Sequence, residues 1–256
     1  MPDMPFIELQ SIDSTNNYAL THIREGLAQH GMAVFSHEQT AGKGQRGKDW
    51  ASIKGENIAI SIILRPFPLQ VSEQFQLSVC AALAVYEFFT KYAGTETRIK
   101  WPNDLYWRDR KAGGILIENI VGSNNGDQAG QTEDSPWRWA VVGVGININQ
   151  TSFPPELSHP VSLKQITGEE YKPVDLARQL GGLVIRKFDE LQSTGFDSVL
   201  SSYLSRLYKK DEKVKLKKDS RVFEATIRGV TPEGRLVVEH AVVEEFGFGE
   251  VTWLID

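Results

Sequence analysis

The sequence predicts an α+β protein with a small β-barrel in its last fifty or so residues, and two observations carry that prediction. Up to residue 208, apolar runs with strand spacing are interleaved with long stretches of helical spacing. From Lys209 onward only short β-like pieces remain, separated by turn residues. The expected division is a main domain over 1–208 and a small C-terminal domain over 209–256.

The elements follow in order. Residues 6–12 read as a strand, and Asp13, Ser14 and Thr15 supply cap-type side chains before apolar residues recur at helical spacing over 17–28. A second strand is expected at 33–38, then a Gly-rich basic loop at 40–50, then an alternating strand at 57–65 that Pro66 stops. Residues 74–92 form a long amphipathic helix, with Phe75, Val79, Leu83 and Tyr86 on one stripe. Three short strands follow at 97–101, 105–107 and 114–119, and a strongly apolar one at 137–148. Between the last two lies a polar, Gly-rich insertion, 122–136, which a short turn is expected to replace without loss of catalysis. Helices at 174–191 and 196–208 close the main domain. The small domain has strands at 213–216, 223–230, 236–240 and 250–255, with Pro232, Glu233 and Gly234 as a turn.

Composition narrows the function classes. Of 256 residues, 41% are hydrophobic and 24% charged, the balance of a globular protein that folds unaided. A net charge of -5 gives no global attraction to nucleic acid or anionic membrane, so any phosphate site must be local. Cys80 is the single cysteine, which excludes an intrachain disulfide and a zinc site of paired cysteines and suits a reducing cytosol. No apolar run approaches the length of a membrane span, and the start lacks the pattern of a signal peptide; a cytoplasmic protein is expected.

The loop Gly42-Lys43-Gly44-Gln45-Arg46-Gly47-Lys48-Asp49-Trp50 satisfies Gly-x-Gly-x-x-Gly, yet a strand follows it where a dinucleotide fold needs a helix. It nearly satisfies the nucleotide P-loop, but Asp49 stands where a hydroxyl should reach magnesium. Its chemistry survives both failures. Three glycines admit a ligand close to the backbone, and Lys43, Arg46 and Lys48 supply charge for a phosphate or carboxylate; read alone, it is also compatible with a mobile basic surface loop.

Three further constellations stand out. Lys100-Trp101-Pro102-Asn103-Asp104-Leu105-Tyr106 gathers a cation, an amide and a carboxylate around a rigid turn, or is a hairpin whose Asn-Asp merely caps that turn. Lys111 precedes Ala112-Gly113-Gly114 and an apolar strand. Gly143-Val144-Gly145-Ile146-Asn147 is an apolar strand broken by glycines, which mark a bulge or a close approach.

Together with Ser14-Thr15-Asn16, Gln39 and Arg110-Lys111, these motifs resemble the biotin protein ligase family, in its order and over about residues 6–150. The resemblance implies a mixed-sheet catalytic domain of the biotin/lipoate protein ligase type with a small SH3-like β-barrel. It implies transfer of biotin, through biotinyl-5'-AMP made from ATP, to one lysine of a biotin carboxyl carrier protein. Biotin and ATP are then substrates, with Mg²⁺, and the enzyme is a monomer or homodimer. Some members carry an N-terminal DNA-binding domain; here the match begins near Met1, so no DNA partner is expected, and no membrane partner either.

Site roles carry over residue by residue. Lys111, Asp104 and Arg46 are the expected catalytic residues. Biotin falls to Ser14, Thr15, Asn16, Gln39, Gly42, Lys43, Gly44, Gln45, Trp50, Lys111 and Gly114. ATP and the adenylate fall to Lys43, Arg46, Lys48, Trp50, Lys100, Asn103 and Asn147. Asp104 is either the metal ligand or the base that deprotonates the carrier lysine. The family's loop usually carries arginines where Lys43, Gln45 and Lys48 stand, and only Arg46 keeps the guanidinium, which implies a looser grip on the adenylate. Two other readings share these features: a lipoate or octanoate ligase of the same fold, and a non-catalytic biotin or nucleotide sensor.

Overall fold

A computed structural model of the protein describes residues 4–122 and 137–254; the insertion expected to be dispensable lies, apart from Gly122, outside the described residues. The elements are β1 (Phe6–Leu9), α1 (Thr15–Arg24), β2 (Ala33–Ser36), β3 (Asn57–Leu64), α2 (Gln74–Ala93), β4 (Thr97–Lys100), β5 (Asp104–Trp107), β6 (Arg110–Val121) and β7 (Trp137–Asn147). There follow α3 (Leu163–Thr167), α4 (Pro173–Thr194), α5 (Phe196–Leu204), β8 (Lys213–Lys218), β9 (Arg221–Val230), β10 (Leu236–Glu239), β11 (Val243–Phe246) and β12 (Thr252–Leu254). The α+β class holds.

Seven strands form one sheet in the order β1-β2-β3-β7-β6-β5-β4, with β1 and β2 parallel and every other pair antiparallel. Helices cover both faces, and this overturns the expectation of half-buried alternation in β3, whose eight residues are all buried. Ile58, Ile60, Ile62 and Leu64 enter the large core with α2 and α4, whereas Ile63 joins Ala19, Val34, Trp139 and Val141 beneath α1. Each fully buried Ile or Leu contributes about 1.5–3 kcal/mol of transfer free energy.

The amphipathic stripe on α2 is likewise corrected. Leu77, Cys80, Ala81, Ala84, Val85 and Phe88 are buried as well as Val79 and Leu83, so the middle of the helix is enclosed on all sides, between the sheet and α4 and α5, while Gln74 and Lys91 near its ends are exposed. Burial also pushes the Cys80 thiol up to about 12, which keeps it un-ionised and inert. The third long helix ends at Leu204, short of 208, because the chain turns there to run beside β4: Ile99 N donates to Arg206 O, and Tyr208 N donates to Ile99 O.

Strands β8 to β12 form a second, all-antiparallel sheet in the order β11-β10-β9-β8-β12. Its apolar side, including Leu216, Ile227, Leu236 and Phe246, is continuous with the main core. The Trp101 indole N–H donates to Gly234 O at 3.0 Å and helps fasten the two sheets together. Sequence periodicity missed α3 and β11, each too short to show one.

Candidate active site

Side chains on the α1 side of the sheet shrink abruptly toward one end of the strands. Ser61 pairs with Gly143 and Ala59 with Gly145 across β3 and β7, and Gly114 pairs with Gly145 across β6 and β7. These small residues leave a hollow that opens into a cavity of about 1300 Å³. All the residues expected to bind or react line it except Gly42, which sits behind it. A Cβ at Gly42 would lie 2.9 Å from Gln39 Nε2 and clash with Trp50 O, so this glycine lets the loop pack.

The floor of the hollow is polar. An isolated parallel bridge between Ile12 and Gln39 brings Gln39 against the start of α1, where its Oε1 accepts from Thr15 N at 2.8 Å and lies 3.1 Å from Thr15 Oγ1. Ser61 Oγ lies 2.7 Å from Thr15 Oγ1 and 2.6 Å from Asn16 Oδ1, and Asn16 Nδ2 donates to Glu118 Oε2 at 2.7 Å. Ser14 opens α1 without its side chain capping the helix, and lines the cavity instead. Ser61 and Glu118 were missed by sequence reasoning. Their signal was there: Ser61 is the lone polar side chain in the apolar run 58–64, and Glu118 with Asn119 interrupts that of β6.

The Gly-rich loop closes one side. Trp50 N donates to Gly42 O and Gly44 N to Lys48 O, which makes a tight hairpin whose tip is a 3-10 turn over Gln45–Gly47 with Arg46 at φ 58. Trp50 lies flat on Gly145, where a Cβ would come within 2.5 Å of its ring. Gln45 Nε2 donates to Ile115 O at 3.2 Å. The Trp50 indole N–H and Gln45 Oε1 are buried without a partner among the described residues. Arg46 reaches across to the C-terminal sheet, its guanidinium against Gly249; Lys43 donates to Asn17 Oδ1 at 2.6 Å, at the surface.

At the far end, Lys111 Nζ and Asp104 Oδ1 form a 2.6 Å ion pair. A β-bulge makes it possible. The register between β5 and β6 shifts after Leu105, so that Tyr106, not Trp107, faces Lys111 and the lysine emerges on the same side as Asp104. Gly114 lies opposite Asp104, where a Cβ would make only ordinary contact with the pair, 3.4 Å from Asp104 Oδ1 and 3.6 Å from Lys111 Nζ. Lys100, paired with Asp104 across the hairpin, lies 5.1 Å from the Tyr106 ring centre and 5.3 Å from that of Trp253. Burial lowers its pKa; Asp104 opposes that shift, while Lys111 and Lys48 add to it.

Two expected nucleotide contacts point to backbone: Asn103 Nδ2 donates to Ile115 O at 2.6 Å and Asn147 Nδ2 to Val161 O at 3.1 Å, each fixing a segment that borders the cavity. The donor set around Asp104 does not fit a resident metal. One of its oxygens is held by an ammonium, and no group of three or more His, Cys, Asp or Glu side chains is arranged to hold a cation among the described residues. The C-terminal sheet supplies a wall that sequence reasoning did not foresee, with Lys215, Phe248 and Trp253. Lys43, Arg46, Lys48, Lys100, Lys111 and Lys215 line the cavity against Asp49, Asp104 and Glu156, a positive site on a chain of net charge -5.

The profile of the biotin/lipoate A/B protein ligase family matches residues 8–129. The biotin–[acetyl-CoA-carboxylase] ligase of Paracoccus denitrificans is 30% identical over 236 residues, covering 90% of this chain and 92% of that protein. The bifunctional ligase/repressor BirA of Bacillus spizizenii is 30% identical over 234 residues, covering 90% of this chain and 68% of that longer protein. The fold matches the biotin protein ligase from Aquifex aeolicus, solved in complex with biotin and ATP, with a TM-score of 0.78 at 23% identity over 98% of this chain and 99% of that one.

Proposed function

The chain belongs to the biotin protein ligases of the biotin/lipoate A/B protein ligase family, and from that premise we propose that it joins biotin to one lysine of a biotin carboxyl carrier protein through biotinyl-5'-AMP. The observation that carries the reading is the position of the Lys111–Asp104 pair, in one cavity with the polar hollow and the cluster of cations. Biotin's ureido ring occupies the hollow against Thr15 and Gln39, its apolar body lies along Trp50, and its carboxylate ends at Lys111.

Two anions must meet in the first step. A carboxylate oxygen of biotin attacks the α-phosphorus of ATP, the bond to the bridging oxygen breaks, and diphosphate leaves with the electron pair. Lys111 neutralises the charge that gathers there, and Arg46, Lys43 and Lys48 hold phosphate as the loop folds over. Magnesium arrives on the triphosphate as part of the substrate. In the second step the carrier lysine's amine attacks the acyl carbon and AMP leaves. That amine has an ordinary pKa of about 10.4, so a proton must go, and Asp104 stands beside Lys111 to take it. Asp104 thus acts as base and as the partner that orients Lys111.

Taking the domain boundary at 208/209, the smaller domain completes the nucleotide side of the cavity through Lys215, Phe248 and Trp253. ATP and a carboxylase carrier are cytoplasmic substrates, and we place the enzyme with them; among the described residues no helix is long and apolar enough to cross a membrane. The test is mass spectrometry of a carrier domain incubated with the protein, ATP and either biotin or lipoate. One biotinyl addition to one lysine supports the reading. Lipoyl addition alone, or ligand binding with no transfer, contradicts it and favours the lipoate ligase or the sensor.

A further inference from the structure

Arg46, at the tip of the Gly-rich loop, and Gly249, in the turn between β11 and β12, both line the cavity, and they meet there. The turn is held firmly. Glu250 N donates to Gly247 O at 3.1 Å, Glu250 Oε2 accepts from Gly247 N at 2.7 Å, and Gly249 takes φ 84 at the third position, where such a turn favours glycine or asparagine. Phe248 beside it packs edge-on against the buried Trp101, ring centres 6.4 Å apart. A Cβ on Gly249 would lie 3.1 Å from Arg46 Cζ and 3.3 Å from both Nε and Nη1. The carbon is nearer than either nitrogen, so the guanidinium turns its flat face, and not its edge, to the glycine. Its N–H groups lie in the plane of that face, so the turn does not use them. Among the described residues they meet no other acceptor, whereas Lys43 is tied to Asn17 and Gln45 to Ile115 O. Arg46 itself stands at φ 58, a conformation that a residue with a side chain keeps only where its surroundings secure it.

We infer that Gly249 is a positioning residue: it seats the face of the Arg46 guanidinium, so that the loop presents its N–H fork to the phosphates of ATP only while docked on the C-terminal sheet. The inference rests on the reading above, in which Arg46 holds phosphate, and deepens it. The loop supplies the charge, and the smaller sheet decides where the charge stands. A side chain at position 249 would occupy the seat, and the flexible arginine, rather than the turn, would have to give way. A lysine at position 46 would keep the charge but has no flat face to dock and no fork to present.

The test is biotin-dependent exchange of labelled diphosphate into ATP by the full-length protein, read as KM for ATP and kcat. The variants are Gly249→Asn, Arg46→Ala, Arg46→Lys and Gly249→Asn combined with Arg46→Ala; asparagine is chosen because it tolerates the left-handed backbone of the turn. Gly249→Asn should raise KM for ATP about tenfold, the loss expected when a charge-assisted hydrogen bond to phosphate is no longer aligned, with kcat within about threefold and Kd for biotin within about twofold. Once Arg46→Ala has removed the guanidinium, the same change at 249 should alter KM less than about twofold, because nothing is left to seat. Arg46→Lys should be impaired nearly as much as Arg46→Ala, and this arm decides the matter should Gly249→Asn fail to fold in a thermal melt. An equal rise of KM at position 249 with and without the arginine, no rise at all, or an Arg46→Lys variant as good as wild type overturns the inference and leaves the biotin reading intact. Wild-type exchange that ignores biotin overturns both.

Discussion

At the scale of single residues, the site depends on where a few protons and charges are held. Gln45 shows how far one side chain can be read. It resembles a position where the family carries arginine, and in the fold its Nε2 reaches Ile115 O while its Oε1 is buried without a partner among the described residues. Gln45→Arg keeps a donor for that carbonyl and adds a guanidinium beside the adenylate, so it should slow release of biotinyl-5'-AMP. Stopped-flow tryptophan fluorescence reads the rate; release as fast as wild type would mean that the loop's charge does not hold the ligand. Thr15, Gln39 and Lys111 were singled out in the sequence only through the family resemblance, and the fold brings all three to one cavity. Ser61 and Glu118 were not, because one or two polar residues within an apolar strand make no motif; only strand pairing shows that both face α1 and meet Asn16.

At the scale of elements, the glycines of β7 are what the sequence marked and could not explain. A strand glycine signals either a bulge or a close approach, and here Gly143 is approached by Asn16 and Gly145 by Trp50. Gly145→Ala would drive a methyl into the Trp50 ring, and overpacking of this kind costs about 1–3 kcal/mol unless the loop swings away. Because the loop is the softer partner, the expected outcome is a protein with near-normal Tm whose Kd for biotin rises tenfold or more. A large fall in Tm with unchanged Kd would show that the strand yields and the loop does not. The bulge between β5 and β6 was not legible at all. It is defined by two residues facing one, a property of pairing, and no local composition betrays it. The strand order was hidden for the same reason: β3 lies between β2 and β7, a partner about eighty residues further along.

Across the whole molecule, the change of texture at Lys209 correctly located a second sheet, yet appending it as a separate unit undersold it. Lys215, Phe248 and Trp253 line the cavity, and the junction is tied by Asp109, which accepts from Tyr208 at 2.6 Å and pairs with Lys209 Nζ at 3.1 Å. The Tyr208 hydroxyl first, and Lys209 against the opposing effect of burial, hold the Asp109 carboxyl below the ordinary aspartate value of about 3.9. A depressed carboxyl contributes stability that is fully present above its unfolded pKa and is lost as pH falls through the folded one. Asp109→Asn should therefore lower Tm at pH 7, and the gap to wild type should close in the window below about pH 3.9. A gap of equal size at pH 7 and pH 2.5 would mean that the junction does not depend on this charge. The central step of the proposed function is formation of the acyl-adenylate at Lys111. Its most direct test is biotin-dependent exchange of labelled diphosphate into ATP, measured without any carrier, for wild type and Lys111→Ala at equal concentrations of folded protein. The account predicts exchange that requires biotin in wild type and a fall of roughly a hundredfold or more in the variant, since one donor at a developing anion is worth about 2.7–4 kcal/mol; exchange within tenfold of wild type, or exchange that ignores biotin, would contradict it.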